Sequence, residues 1–417
     1  MRPCTVRHLI VVSVLVLGCS GALPSTAVLE AQPPLRFGVD THLHLTMARA
    51  ARPVFHGEPG DGRVTMHPRN RFENQVDAPG LRAAGVRLVH GALWPPFNVR
   101  PGFSALEEAL EQVRQLHRFT SRRGDFVVVG TTKEARAALA HGAIAVFPQL
   151  EGGEGIESVE DVDRLYAAGV RCITLVHFSS TQLGGAAAAQ VSTLVLGPDA
   201  QAREPRGLSP LGRDVVARMM ALGMVIDLAH ASDATAREVL DLTEPAGVPV
   251  LVSHTGARTL HEMERNLSDE LARRVAAAGG LIGLSVFDAQ MAVEPKDFLS
   301  PQHQPGTCDD LVAHWTYFAR VVPPTSLVLG SDFNGFVARP AAGGLCPSGL
   351  RHVGDLKHLW PALTANGFPR EALDSMGDAV LRLHEAVEAK ADPHAQAAAQ
   401  RWARDVRRVR SALDEVP

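Results

Sequence analysis

The sequence predicts an α/β fold, a (β/α)8 TIM barrel, and three observations carry that prediction. Eight short apolar runs alternate with segments of helical period. Two of them, residues 224–229 and 248–253, are each followed at once by a histidine, His230 and His254, with a helical segment of about 15 residues between them. Histidines and carboxylates then recur at the ends of other runs. In a parallel βα barrel every strand ends on the same rim, so residues closing different strands meet above one pore.

The 417 residues, 46% hydrophobic and 21% charged with 37 Gly and 28 Pro, accommodate a barrel of about 250 residues plus insertions. A formal net charge of −4 leaves no basic footprint for nucleic acid. The first residues carry Arg2 and Arg7, an apolar run over 9–17, then small residues. Nine apolar residues are too few to span a bilayer, whereas this order is that of a secretory signal, so residues 1–30 are set aside from the fold and export is expected. Residues 16–19, VLGC, also match a bacterial lipobox, with Leu17 an imperfect residue at its position. Free export and anchoring by a lipid on Cys19 both stay open, and that lipid is the only membrane attachment expected. In the body of the chain, Cys172 lies in an apolar run and reads as a buried free thiol. Cys308 and Cys346 fall in Gly/Pro-rich loops, where they either pair in an oxidising compartment or stand as two unpaired surface thiols.

The first strand is expected over 35–41, ending in His42-Leu43-His44; alternation puts both histidines on one face, with Asp40 behind them. Residues 46–80 have no periodicity and read as a rim loop. A second strand over 86–93 leads to an amphipathic helix over 104–122 with Leu106, Leu110, Val113 and His117 on one side. His90, mid-strand, and His117 read as structural. The run at 126–129 is taken as auxiliary, and Thr132 as the N-cap of the helix after it. The strand over 143–150 runs into Glu151-Gly152-Gly153, where glycines let the backbone turn sharply beside a carboxylate.

Helix 158–168, strand 170–176 and His177 follow, then a polar loop over 181–207 long enough to reach over a site. Helix 211–222 leads into the strand closed by His230, and the next is closed by His254. Arg265 lies eleven residues further on, and Ser268 caps a helix to about residue 278. Strand 280–287 has no metal-type residue at its end. A helix over 309–321 precedes the last strand, 326–331, which ends in Asp332-Phe333-Asn334-Gly335. One hydrolase domain is thus expected over 31–391. The final helix, 392–417, carries a stripe of Trp402, Val406, Val409 and Leu413 that should pack on the barrel or on a second subunit.

Six of the eight strand ends therefore offer a metal-capable group: His42/His44, Glu151, His177, His230, His254 and Asp332. Structural histidines would scatter over helices and loops, as the remaining ones do. Clustering at the C-terminal strand ends predicts a rim metal site. The candidate ligands beyond Glu151 exceed the needs of one zinc, while a carboxylate bridging two ions about 3.5–4 Å apart accounts for them. Such a pair holds a hydroxide at neutral pH and polarises a carbonyl, so the chemistry implied is hydrolysis of an amide, ester or similar bond.

From about residue 36 to 391 the chain resembles the membrane (renal) dipeptidases of the amidohydrolase superfamily. The resemblance rests on LEGGEGIE (150–157), LYAAGVRCITLVH (165–177), GLSPLGRDVV (207–216), MVIDLAHAS (224–232), VSHTGAR (252–258), RNLSDE (265–270) and GSDFNG (330–335). It implies a homodimeric barrel enzyme with two zinc ions that cleaves dipeptides bearing a free α-carboxylate. It implies His42, His44, Glu151 and Asp332 around one zinc, and Glu151, His230 and His254 around the other. It assigns the catalytic proton transfer to Asp332, oxyanion stabilisation to His177, and the clamp on the substrate carboxylate to Arg265. The chain departs from the renal pattern at His44, where that branch has Asp, and at Glu154, Asn334 and Asp378. Substrate preference is where these departures bear. Two other readings stay open: a hydrolase of another small amide, lactone or β-lactam, and a non-catalytic exported binding protein.

Overall fold

Parallel strands buried on both faces need continuous apolar sequence, and the predicted runs supply it. The computed structural model describes residues 33–46, 55–56, 65–66, 75–95, 104–187, 207–292, 306–335, 344–346 and 349–401. The expected N-terminal leader with Cys19, the Trp402 stripe and most of both long rim loops lie outside them. The barrel strands are β1 (Gly38–His44), β2 (Val86–Leu93), β3 (Ile144–Glu151), β4 (Cys172–Thr174), β5 (Val225–Asp227), β6 (Leu251–Thr255), β7 (Leu281–Leu284) and β8 (Leu327–Leu329). They pair in the order β2-β1-β8-β7-β6-β5-β4-β3, and the β2–β3 pairing closes the ring. This is the expected (β/α)8 barrel.

The short strand Phe126–Val128 stands outside that ring. It pairs with β3 at residues 144–146, while β4 takes β3 at residues 149–151 and β2 takes it along 145–150. A strand has two edges, so Phe126–Val128 and β4 share one, end to end. Arg171 joins them by donating from Nε to the Gly130 carbonyl (2.6 Å) and from Nη1 to those of Tyr166 (2.7 Å) and Val170 (2.8 Å).

Several strands are shorter than their apolar runs, and the reason is local. Asp227, the last residue of β5, accepts from the backbone N–H of Ala229 (3.0 Å) and of Ser253 (2.8 Å). Those donors are lost to the ladder, the chain turns, and His230 adopts φ 64°. His230 and His177 thus stand three residues beyond β5 and β4, whereas His42, His44 and His254 lie within strands. Asp332 lies beyond β8, at φ 58°, but its segment still pairs with β1: Asp332 N–H donates to the His42 carbonyl (2.8 Å) and His44 N–H to that of Phe333 (2.9 Å).

Helices begin where serine or threonine caps them, as at Ser104, Ser209, Ser232 and Ser268. The helix Thr132–Ala140 is capped one residue earlier than expected, by Thr131, whose hydroxyl accepts from Glu134 N–H. Thr132 is diverted: its N–H and hydroxyl both donate to Glu388, at 2.8 and 2.7 Å. A helix begins at residue 393 and lies against helix Pro210–Leu222, with Asp392 N–H on the Ala221 carbonyl and Gln396 Nε2 on that of Leu222. Those donors satisfy carbonyls that the helix end leaves free.

Cys308 and Cys346 form a disulfide. Cys308 opens helix Cys308–Val321 rather than lying in a loop, and both residues are buried, so the reading as surface thiols fails. Cys172 is a buried free thiol. His90 and His384 pack as a buried pair, Nε2 to Nε2 at 3.1 Å, with the His384 ring stacked on Phe147 of β3. Among the described residues no helix is long and apolar enough to cross a membrane.

Candidate metal centre

The predicted site residues converge on one carboxylate. Glu151, the last residue of β3, is buried, and its Oε1 lies 3.3 Å from His42 Nε2, 3.3 Å from His230 Nε2, 3.4 Å from His177 Nε2 and 3.6 Å from His254 Nε2. Its Oε2 lies 3.5 Å from His44 Nε2. Asp332 Oδ1 stands 3.3 Å from His44 Nε2 and 3.9 Å from His42 Nε2, and His230 Nε2 is 3.0 Å from His254 Nε2. Ligands bonded at about 2.0–2.1 Å around a tetrahedral ion are about 3.3–3.4 Å apart, so these separations are those of coordination-polyhedron edges. Three groups have ligand atoms within 4.8 Å of one another: His42/His44/Asp332, His42/Glu151/His254 and Glu151/His177/His230.

Hydrogen bonds to the far side of each ring decide which nitrogen keeps its lone pair. Gln149 donates its amide Nε2 to Asp227 Oδ2 (2.8 Å), which turns its Oε1 toward His42 Nδ1 (3.2 Å). In the neutral ring His42 Nδ1 therefore carries the proton and Nε2 is free to ligate. Ser253 donates its hydroxyl to Asp227 Oδ2 (2.6 Å), which leaves the oxygen to accept from His254 Nδ1 (2.9 Å). His254 Nε2 is likewise a lone pair. His177 is the opposite case: Trp94 Nε1–H donates to its Nδ1 at 3.0 Å, so in the neutral ring the proton sits on Nε2. His177 is thereby set up as a donor into the site, although its nitrogen lies as close to Glu151 as the others.

Charge favours a cation among these groups. Burial lowers His42, but the carboxylates of Glu151, Asp332 and Asp227 outweigh it and raise the ring to about 9. Burial would raise Glu151, but the His177 and His42 rings hold it well below the usual range. Burial and then the Arg265 guanidinium press His230 far down, and burial, His42 and Arg265 do the same to His254. With its proton on Nδ1, His254 offers a lone pair on Nε2 that either accepts from His230 Nε2 at 3.0 Å or shares a cation with it. His42 Nε2 is buried without a hydrogen-bond partner of good geometry. The donor set of imidazoles and carboxylates, without thiolate, fits a borderline ion such as zinc.

Arg265 stands beside this cluster. Its Nη1 donates to the His254 carbonyl (3.0 Å), and no carboxylate pairs with it among the described residues. Burial lowers it to about 10, so it remains a cation at neutral pH. The Glu151 turn is held by Gln182, whose Nε2 donates to the Gly153 carbonyl at 2.9 Å. Gly152 has φ 92°, a conformation side chains rarely adopt. Glu154 follows with both carboxyl oxygens buried and without a side-chain partner among the described residues, and burial pushes it up to about 7.

All seven residues singled out at strand ends thus meet in one place, with Arg265 at its edge. Sequence reasoning missed Trp94, Gln149, Asp227 and Ser253. Each left a signal: a polar or aromatic group inside or directly after an apolar run, where burial demands a partner.

A closed (β/α)8 barrel with carboxylates and imidazoles gathered on its rim defines a class, the barrel hydrolases built around a metal centre. Residues 37–398 match the membrane dipeptidase family, peptidase family M19, and the chain belongs to that family. An uncharacterized dipeptidase of Schizosaccharomyces pombe, C965.12, is 31% identical over 241 residues, spanning 57% of this chain and 53% of that protein. The chain thus spans about half the length of that relative. A second uncharacterized dipeptidase of the same yeast, C3A11.10c, is 26% identical over 366 residues, 84% of this chain and 82% of its own. The fold is shared with a metallopeptidase of Rhodobacter sphaeroides, crystallised with a phosphinate mimic of L-Ala-D-Ala. Its TM-score is 0.65 at 19% identity, over 85% of this chain and 99% of that one.

Proposed function

We propose that the chain is an exported dipeptidase that hydrolyses small dipeptides with two zinc ions and works as a homodimer. The observation that carries this reading is the convergence of five imidazole nitrogens on the two oxygens of Glu151, with the Arg265 guanidinium alongside, paired with no carboxylate among the described residues. His42, His44 and Asp332 would hold one ion, His230 and His254 the other, with Glu151 between them. When bound, the ions supply an activated water and polarise the scissile carbonyl.

The remaining steps belong to the protein. Arg265 takes the substrate α-carboxylate in a paired, charge-assisted contact, fixing the peptide against the rim. His177 donates from Nε2 to the oxygen that gains charge as the carbonyl is attacked. Burial, and then the nearby Glu151 charge, raise the Asp332 carboxyl. Asp332, next to His44, would pass a proton from the attacking water to the leaving amine. The dipeptide mimic bound by the Rhodobacter protein supports the substrate class. The leader over residues 1–30 supports export, with a lipid on Cys19 as the possible anchor.

The test is hydrolysis of a panel of L,L- and L,D-dipeptides after chelation and again after zinc is restored. Activity should vanish and return, with about two zincs bound per chain. Arg265→Met should raise KM for dipeptides at least tenfold, with a much smaller effect on those whose carboxylate is amidated. Tight zinc binding without dipeptide turnover would move the reading to another small amide, lactone or β-lactam, and absence of both would favour a binding protein.

A further inference from the structure

We infer that Asp227 sets the tautomer of one imidazole in each half of the metal centre, and so acts as a positioning residue shared by both ions. The inference rests on the reading of the rim cluster as a metal site. Asp227 is fully buried at the end of β5 and is linked to two candidate ligand rings through Gln149 and Ser253. Its Oδ1 is spoken for by two backbone donors, Ala229 N–H and Ser253 N–H, which no side-chain change can redirect. Its Oδ2 receives the Gln149 amide (2.8 Å), the Thr174 hydroxyl (2.6 Å) and the Ser253 hydroxyl (2.6 Å).

A carboxylate can only accept, and that fixes the direction of both relays. Gln149 must present its N–H2 to Asp227 and hence its carbonyl oxygen to His42 Nδ1. Ser253 must spend its one proton on Asp227 and hence offer a lone pair to His254 Nδ1. In the neutral form each ring is left with its proton on Nδ1 and its lone pair on Nε2, the nitrogen that faces Glu151. One buried charge thereby prepares a nitrogen on β1 and another on β6. His42 and His254 also share a group with Glu151, but on the ligand assignment proposed above His42 belongs with His44 and Asp332 and His254 with His230, so the two relays serve different subsites. Outer partners of this kind typically tune metal affinity by about 10–100-fold.

The isosteric change Asp227→Asn tests this sharply. The backbone donors keep the Asn oxygen in the Oδ1 position, so its N–H2 takes the place of Oδ2 and confronts three donors. The Gln149 amide and the Ser253 hydroxyl must turn round, each then presenting a hydrogen to an imidazole Nδ1. That moves the ring protons to Nε2, where they block ligation. The readout is zinc affinity at each site by competition with a chelator, together with the 15N chemical shifts of the His254 ring in the metal-free full chain. Asp227→Asn is expected to weaken both zincs by about 10–100-fold and to switch His254 from the Nδ1–H to the Nε2–H form. Ser253→Ala should weaken one zinc and Gln149→Met the other, each leaving its companion site within about threefold.

Wild-type chain that binds no zinc would overturn the metal-site reading itself. Zinc bound normally by wild type and also by Asp227→Asn, with the His254 tautomer unchanged, would overturn the role of Asp227 alone. If Asp227→Asn does not fold, the two relay variants decide the matter, because loss of both zincs in either one, or of neither in both, contradicts separate relays.

Discussion

At the scale of single residues, the chemistry of the site depends on protons placed by groups that never meet the substrate. His177 and His254 are the same residue type near the same Glu151 oxygen, yet Trp94 donates to Nδ1 of the first and Ser253 accepts from Nδ1 of the second. On the proposed reading one becomes a donor and the other a ligand. Trp94→Phe should therefore lower kcat by about 10–100-fold with little change in bound zinc. His177→Ala should lower it by about 10²–10³-fold, the range for loss of an oxyanion donor. If Trp94 acts through His177, the double variant loses no more than His177→Ala does; additive losses would place Trp94 in a separate role. The histidines and carboxylates were legible in the sequence because each follows an apolar run that must be a strand, and strands of a parallel barrel end together. Their division of labour was not. It is written in Trp94, Gln149, Asp227 and Ser253, whose partners lie from 1 to 107 residues away along the chain.

At the scale of elements, the turn after β8 shows why strand ends are harder to read than strands. The apolar run predicts β8, but what carries Asp332 to the site is a clasp between distant loops. Asn334, at φ 64°, donates from its N–H to Gln75 Oε1 (2.6 Å), accepts from Gln75 N–H (2.8 Å), and donates from Nδ2 to the His44 carbonyl (3.0 Å). Asparagine tolerates this backbone better than most residues. An aspartate would have no donor for the His44 carbonyl. Asn334→Asp should thus cost about 1–3 kcal/mol in denaturant unfolding of the metal-free protein, since the buried carbonyl of a ligand residue loses its partner. It should also weaken zinc at the subsite that includes His44. A variant as stable as wild type would show that the clasp does not hold the turn. The same logic explains the auxiliary strand: the run at 126–129 reads correctly as strand, but only its sharing of the β3 edge with β4 excludes it from the ring.

At the scale of the whole molecule, the barrel buries histidines that serve only as neutral hydrogen-bonding spacers, and these couple its stability to pH. His314, on helix Cys308–Val321, is one such case outside the metal-centre residues. Its Nδ1 accepts from Ala257 N–H (2.8 Å) and its Nε2–H donates to the Met291 carbonyl (3.0 Å), so the helix pins the loop that carries Arg265. Burial is the main cause that lowers it, to about 4 from an ordinary 6.5. The sign follows from which state takes the proton. Below pH 6.5 the unfolded chain protonates this histidine while the folded one does not, so stability falls with falling pH until the folded pKa is reached near 4. A shift of about 2.5 units corresponds to about 3 kcal/mol, with a slope approaching 1.4 kcal/mol per pH unit. His314→Gln removes the titrating group and keeps one of the two bonds at best. It should be less stable than wild type at pH 7, and its deficit should shrink by about 3 kcal/mol between pH 6.5 and pH 4. Loss of metal at low pH affects both proteins alike and cancels in that difference. Urea denaturation of both across the range decides it: a deficit that stays constant with pH would mean that His314 is not held neutral, and that the Arg265 loop is anchored by other contacts.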